Sequence, residues 1–279
     1  MDIRRTGADL VAPLRPLLSG RSSMEPSFLV VGTKRGGTTS AYHWIAQHPQ
    51  VAPCRTRKGT HYFDVNFERG ERWFRSGFEG PRAPWKITGE ASPYYMFHPL
   101  APRRIAETLP AVHLIVVLRE PVARAWSHHQ YEVARGSEDL AFETALDLES
   151  KRLEGEEERL TEDPSYESFE HRHHSYLARG LYAEQLGRLL DLFPRDQLLV
   201  LQSEELFADP RGQLDRVWDF LGLERVRLDG LQALKPGTYG AMPPKVRTRL
   251  QSYYAEHNQE LYSLPGIDFR WPYERETAS

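Results

Sequence analysis

The sequence has one cysteine, no long apolar run and no surplus of positive charge, and each shortage excludes a class of protein. Because Cys54 stands alone, an internal disulfide framework and a cysteine-rich metal site are both excluded. A cytoplasmic setting is the expectation that fits it. No stretch approaches the roughly 20 apolar residues that a membrane helix needs, so no span is expected. Lysine plus arginine number 36 against 39 acidic residues, a net charge of -3, so no global basic field gathers nucleic acid. Any bound anion must be held by local groups. Residues 1–27 scatter Arg4, Arg5, Arg15 and Arg21 among short apolar pairs broken by Pro13 and Pro16, which reads as a loose leader without a signal-peptide core.

What is present suits a soluble globular chain: 279 residues, 40% hydrophobic and 11% aromatic. Four apolar runs predict buried strands: Phe28 to Val31, Trp85 to Thr88, Val112 to Leu118 and Leu198 to Leu201. Helical patterns cover Thr38 to Gln47, Leu100 to Thr108, Pro121 to Ala134, Ser175 to Leu192, Pro210 to Phe220 and Pro244 to Tyr262. Strands alternating with helices predict an α/β fold, three layers around a central parallel sheet, with ligands beyond the carboxyl ends of the strands. No repeat or low-complexity linker divides the chain, so residues 28–279 are expected to form one domain. Within it, residues 147–170 hold ten acidic residues against three basic ones. That segment reads as a solvated helical insertion or as a lid over an acceptor site.

The first strand runs into Gly32-Thr33-Lys34-Arg35-Gly36-Gly37-Thr38-Thr39-Ser40 and then a helix. Such a turn offers unpaired backbone N–H groups and a positive helix end to an anion, with Lys34 and Arg35 adding formal charge. The bland alternative is a glycine-rich turn with no ligand. The spacing of Gly32 and Gly37 nearly fits the nucleotide P-loop G-x-x-x-x-G-K-[ST], but Thr38 stands at the lysine position. That loss argues against an ordinary ATPase or kinase. A second anion site is expected where the third strand ends: Arg119 precedes Pro121, and Ser127 lies about two helical turns further on. Taken alone, Arg119 could equally pair with an acid. Two anion sites on adjacent strand ends together describe a nucleotide phosphorylated at both ends of its ribose.

With these motifs the sequence resembles the PAPS-dependent sulfotransferase family, closest to its heparan sulfate N- and O-sulfotransferase branch and the bacterial relatives. The resemblance rests on Val31 through Pro49, Arg119 through Ser127, Arg179-Gly180-Leu181-Tyr182, Leu201 to Leu206, Phe220 to Leu223 and Tyr253 to Asn258. It implies the sulfotransferase fold, with 3′-phosphoadenosine 5′-phosphosulfate (PAPS) as co-substrate and no metal. Thr33, Lys34, Arg35, Gly36, Gly37, Thr38, Thr39 and Ser40 would cradle the phosphosulfate, Arg35 taking the place of the usual lysine. Arg119 and Ser127 match the grip on the 3′-phosphate, and Tyr182, Lys235 and Tyr239 join the donor-binding set. In Lys58-Gly59-Thr60-His61-Tyr62-Phe63-Asp64 the family's usual glutamate is replaced by Gly59. His61 is then the expected general base, supported by Asp64, with Glu90 as the rival base and Lys58 beside them. His61 could otherwise be a packing histidine, and Lys58 a solvated lysine.

The function implied is sulfuryl transfer to a hydroxyl, or an amine, of a small-molecule, lipid or carbohydrate acceptor. A nucleotide-dependent phosphotransferase and a non-catalytic nucleotide-binding module are the alternatives. His128-His129 and the cluster His171, His173 and His174 lack metal-ligand spacing, so they are read as structural.

Overall fold

The computed structural model describes residues 23–56, 58–233 and 239–271. Five parallel strands form the sheet: β1 (Phe28–Gly32), β2 (Val51–Ala52), β3 (Ile87–Ala91), β4 (His113–Leu118) and β5 (Leu198–Gln202), in the order β2-β3-β1-β4-β5. The helices on its faces are α1 (Thr38–Ile45), α2 (Glu71–Arg75), α3 (Ala101–Thr108), α4 (Pro121–Ala134), α5 (Phe142–Leu153), α6 (Glu156–Glu162), α7 (Phe169–His173), α8 (Tyr182–Leu190), α9 (Ser203–Ala208), α10 (Pro210–Phe220) and α11 (Pro244–Ser263). This is the α/β architecture that the strand and helix patterning predicts.

β1 and β4 carry continuous apolar runs because both faces are covered: Phe28 through Val31 and Leu114 through Leu118 are fully buried. A second apolar cluster joins Val122 and Ala125 of α4 to Phe142, Ala145 and Leu146 of α5 and to Val246, Leu250 and Tyr254 of α11. It fixes the long helix after β4 against the C-terminal helix. Because β1 lies between β3 and β4, the loops leaving β1, β3 and β4 emerge side by side.

Two local expectations need correction. The strand read over Trp85 to Thr88 lies further along, at Ile87–Ala91. Its second half carries Glu90, which breaks the apolar pattern, and Gly89, where a Cβ would stand 2.3 Å from the Phe28 carbonyl oxygen. The helix read from Ser175 starts only at Tyr182, after a 3-10 turn over Ala178–Gly180. There the chain passes so close to α11 that a Cβ on Gly180 would lie 2.5 Å from the Tyr254 hydroxyl. The acidic stretch from Asp147 to Glu170 is helical over most of its length and largely exposed, with Glu149 and Glu156 as its buried carboxylates. Glu149 is buried and accepts hydrogen bonds from the Leu177 and Ala178 amides, and burial pushes its carboxyl up to about 7.

Candidate functional site

The loop between β1 and α1 is shaped by close approach to β4. Thr33 is buried and donates its amide to the Val117 carbonyl at 2.9 Å, and a Cβ on Gly36 would sit 2.5 Å from that same oxygen. Arg35 and Gly37 both adopt positive φ, 70° and 106°, which turns the chain sharply into α1. Gly37 is the N-cap of α1 and supplies no side-chain cap. The helix end is therefore left for another partner.

The loop's two cations have different surroundings. Lys34 Nζ lies 2.6 Å from Glu132 Oε1 and donates to the Arg172 carbonyl at 3.1 Å. Glu132 is fully buried and also meets His173 Nδ1 at 2.9 Å and His128 Nε2 at 3.3 Å. Burial works against its charge, but Lys34 and the two histidines outweigh it and hold the carboxyl far below its ordinary range. Arg35 instead donates from Nε to Ser127 Oγ at 3.0 Å, and its guanidinium lies 4.8 Å from the centroid of the Tyr131 ring.

At the end of β4, Arg119 Nη1 reaches the Arg35 carbonyl at 3.4 Å, and the buried Tyr182 hydroxyl donates to the Arg119 carbonyl at 2.8 Å. Glu120 caps α4, accepting from the Val122 and Ala123 amides at 2.7 Å each. That helix N-terminus is thus occupied by the chain's own carboxylate.

The loop after β2 brings in His61, at φ 52°, whose Nδ1 lies 2.8 Å from Asp64 Oδ2. Asp64 is buried, which alone would raise its pKa, but the charge and hydrogen bond of His61 prevail and leave it below the ordinary aspartate value. With Nδ1 engaged by the carboxylate, Nε2 is the nitrogen that remains to accept a proton. Arg104 secures this turn by donating to the Phe63 and Asp64 carbonyls at 3.0 and 3.3 Å. Glu90 lies fully buried beneath it, accepting from the Thr60 amide and, at 2.5 Å, from the Tyr95 hydroxyl; burial raises its pKa. Gly59 has no room for a side chain, since a Cβ would stand 2.4 Å from the Ala91 carbonyl oxygen and 2.5 Å from Ser92 Oγ.

These elements enclose one cavity of about 740 Å³. Lys34, Arg35, Gly37, Thr38, Thr39, Ser40, Lys58, His61, Arg119, Ser127 and Tyr239 all line it. Thr33, Gly36, Asp64, Glu90 and Tyr182 are absent from its wall and lie behind residues that form it. Lys235 falls outside the described residues. None of residues 147–170 lines the cavity, although Arg172 just beyond them does. Sequence reasoning gives no site role to Tyr131, Arg172, Arg179 and Phe207, which are in the wall. Tyr131 is within its reach, lying four residues after Ser127 on the same helix face.

The sulfotransferase domain family matches residues 25–232 of this chain, a span that holds both strand-end loops and the His61–Asp64 pair. The chain belongs to the sulfotransferase family. This sulfotransferase is 33% identical over 294 residues to heparan sulfate glucosamine 3-O-sulfotransferase 6 of Homo sapiens, an alignment covering 93% of this chain and 78% of that protein. It is 30% identical over 289 residues to the 3-O-sulfotransferase 3B1 of Homo sapiens, covering 94% of this chain and 69% of that one. Among solved structures, a sulfotransferase from Alicyclobacillus acidocaldarius superposes with a TM-score of 0.68 at 30% identity, covering 88% of this chain and 97% of that one. The protein is therefore an enzyme of sulfuryl transfer with the sulfotransferase fold. Among its described residues, no helix is long and apolar enough to cross a membrane, and no group of three or more His, Cys, Asp or Glu side chains is placed to hold a metal ion.

Proposed function

We propose that the enzyme takes its sulfuryl group from PAPS and delivers it to a hydroxyl of a carbohydrate acceptor. The observation that carries this reading is the shared cavity: Arg35 and Arg119 face the same space as His61, with the uncapped start of α1 between them. The open helix end and the loop amides suit the 5′-phosphosulfate. Arg119 and Ser127 suit the 3′-phosphate, held by side chains since Glu120 closes the neighbouring helix end. The carbohydrate acceptor rests on the two heparan sulfate 3-O-sulfotransferases to which the chain is similar.

In this reading the acceptor hydroxyl approaches from the His61 side. His61 Nε2 takes its proton while Asp64 steadies the imidazolium that forms. The acceptor oxygen bonds to sulfur as the bond from sulfur to the phosphate oxygen breaks, and adenosine 3′,5′-bisphosphate leaves with the electron pair. Arg35, the loop amides and the Thr38 and Thr39 hydroxyls neutralise the charge growing on that phosphate. Position 59 has no room for a glutamate side chain, which supports the histidine–aspartate pair as the base.

The test is incubation with ³⁵S-labelled PAPS and a panel of desulfated heparan sulfate, neutral polysaccharides and simple phenols, with products identified by mass spectrometry. Labelled O-sulfated saccharide is the expected outcome. Label in the phenols alone would overturn the carbohydrate assignment, and an absence of PAPS consumption with every acceptor would overturn the donor.

A further inference from the structure

Lys34 and Arg35 are adjacent and both line the cavity, yet their partners on α4 differ in kind. Lys34 is drawn onto the buried Glu132 carboxylate. No carboxylate lies within ion-pair distance of Arg35 among the described residues. Its Nε is held by Ser127 Oγ, its guanidinium lies 4.8 Å from the Tyr131 ring centroid, and neither Nη has a hydrogen-bond partner among them. Lys34 Nζ stands further from that ring, at 5.7 Å. Tyr131 is itself steadied, its hydroxyl accepting from Arg135 Nη1 at 3.0 Å. Ser127 and Tyr131 are one helical turn apart, so a single face of α4 supplies both contacts.

A guanidinium stacked on a ring keeps its edge donors available while its plane is fixed, a service that a lysine ammonium neither needs nor can use in the same way. We infer that Tyr131 is a positioning residue that fixes Arg35, and not Lys34, as the loop cation whose free Nη donors meet the 5′-phosphate of the donor. Glu132 completes the division by keeping Lys34 paired. This assignment rests on the PAPS reading above.

The test is a double-mutant cycle on the affinity of the intact enzyme for adenosine 3′,5′-bisphosphate, measured by calorimetry. Tyr131→Leu should weaken binding about fivefold, the size of a partly buried cation–π contact, while Tyr131→Phe stays within about twofold of the parent. In an Arg35→Ala background, Tyr131→Leu should change the affinity by less than about twofold. Equal weakening in both backgrounds, or none in the parent, overturns the inference, because the ring would then act on the nucleotide or the fold directly or not at all. If the unsubstituted enzyme fails to bind the bisphosphate, the PAPS reading falls first and takes this assignment with it.

Discussion

The ends of β1 and β4 are neighbours in the sheet and each hands over to a helix, yet they treat the helix N-terminus in opposite ways. α1 begins at Gly37, with no side chain to cap it, whereas α4 begins at Glu120, whose carboxylate takes the Val122 and Ala123 amides. One N-cap residue thus decides the binding device. At β1 the backbone and helix dipole are left open; at β4 they are occupied internally, and in the proposed reading Arg119 with Ser127 acts through side chains. The difference separates two tasks. Backbone donors and a short-reach cation suit charge that develops during transfer, while a side-chain clasp suits a phosphate that keeps its charge throughout.

The sharpest way to break that comparison is Arg35→Ala, which is expected to lower kcat by about 10²–10³ in the labelled-PAPS assay, the loss typical of one oxyanion-type donor. If kcat at saturating donor is unchanged, the β1 loop serves binding alone. Arg119→Ala should instead weaken adenosine 3′,5′-bisphosphate by about 10–100-fold, the range of a charge-assisted hydrogen bond, with a much smaller change in kcat. A matching collapse of kcat would erase the distinction between the two strand ends.

A second carboxylate extends the comparison, because Asp64 holds a side chain of the site where Glu120 holds a helix end. Asp64→Asn keeps an oxygen for the Val65 amide but loses the ionic partner of His61, and kcat is expected to fall about tenfold or more. The native pKa of Asp64 lies below the ordinary aspartate value, so its stabilising contribution is complete above about pH 4 and is lost as pH falls further. The difference in Tm between wild type and the Asp64→Asn variant should therefore shrink as pH falls below about 4. A constant gap across pH would mean that the charge of Asp64 adds nothing. The smallest effect is expected from Glu120→Ala: about 1 kcal/mol of stability and a Tm lower by about 2–4 °C, with bisphosphate affinity nearly unchanged. A large gain in affinity would show that the capped helix end had been a suppressed anion site.

Much of the fold is legible in the order of residues. The apolar runs at Phe28 and Val112 are continuous because their strands are covered on both faces, and a continuous run is a strong signal. The strand at Ile87–Ala91 is harder to place because Glu90 and Gly89 are set by partners outside the strand: the Thr60 amide, the Tyr95 hydroxyl and the Phe28 carbonyl. Glu90 itself reads as a rival base, but it is enclosed beneath the cavity wall with both oxygens occupied. Lys34 reads as added formal charge beside Arg35, and nothing local announces that Glu132, 98 residues on, will claim it.

Local chemistry alone thus determined the apolar strand segments, the glycine turn into α1, the proline-led start of α4 and the three-residue spacing that joins His61 to Asp64. Each depends on backbone geometry or on contacts within a few residues, which the order of amino acids encodes directly. Tertiary structure decided which cations face the cavity, which carboxylates are buried or capping, and why position 59 admits no side chain. Those outcomes depend on which groups approach across the fold and what burial does to their charges, and no short window of sequence contains both partners.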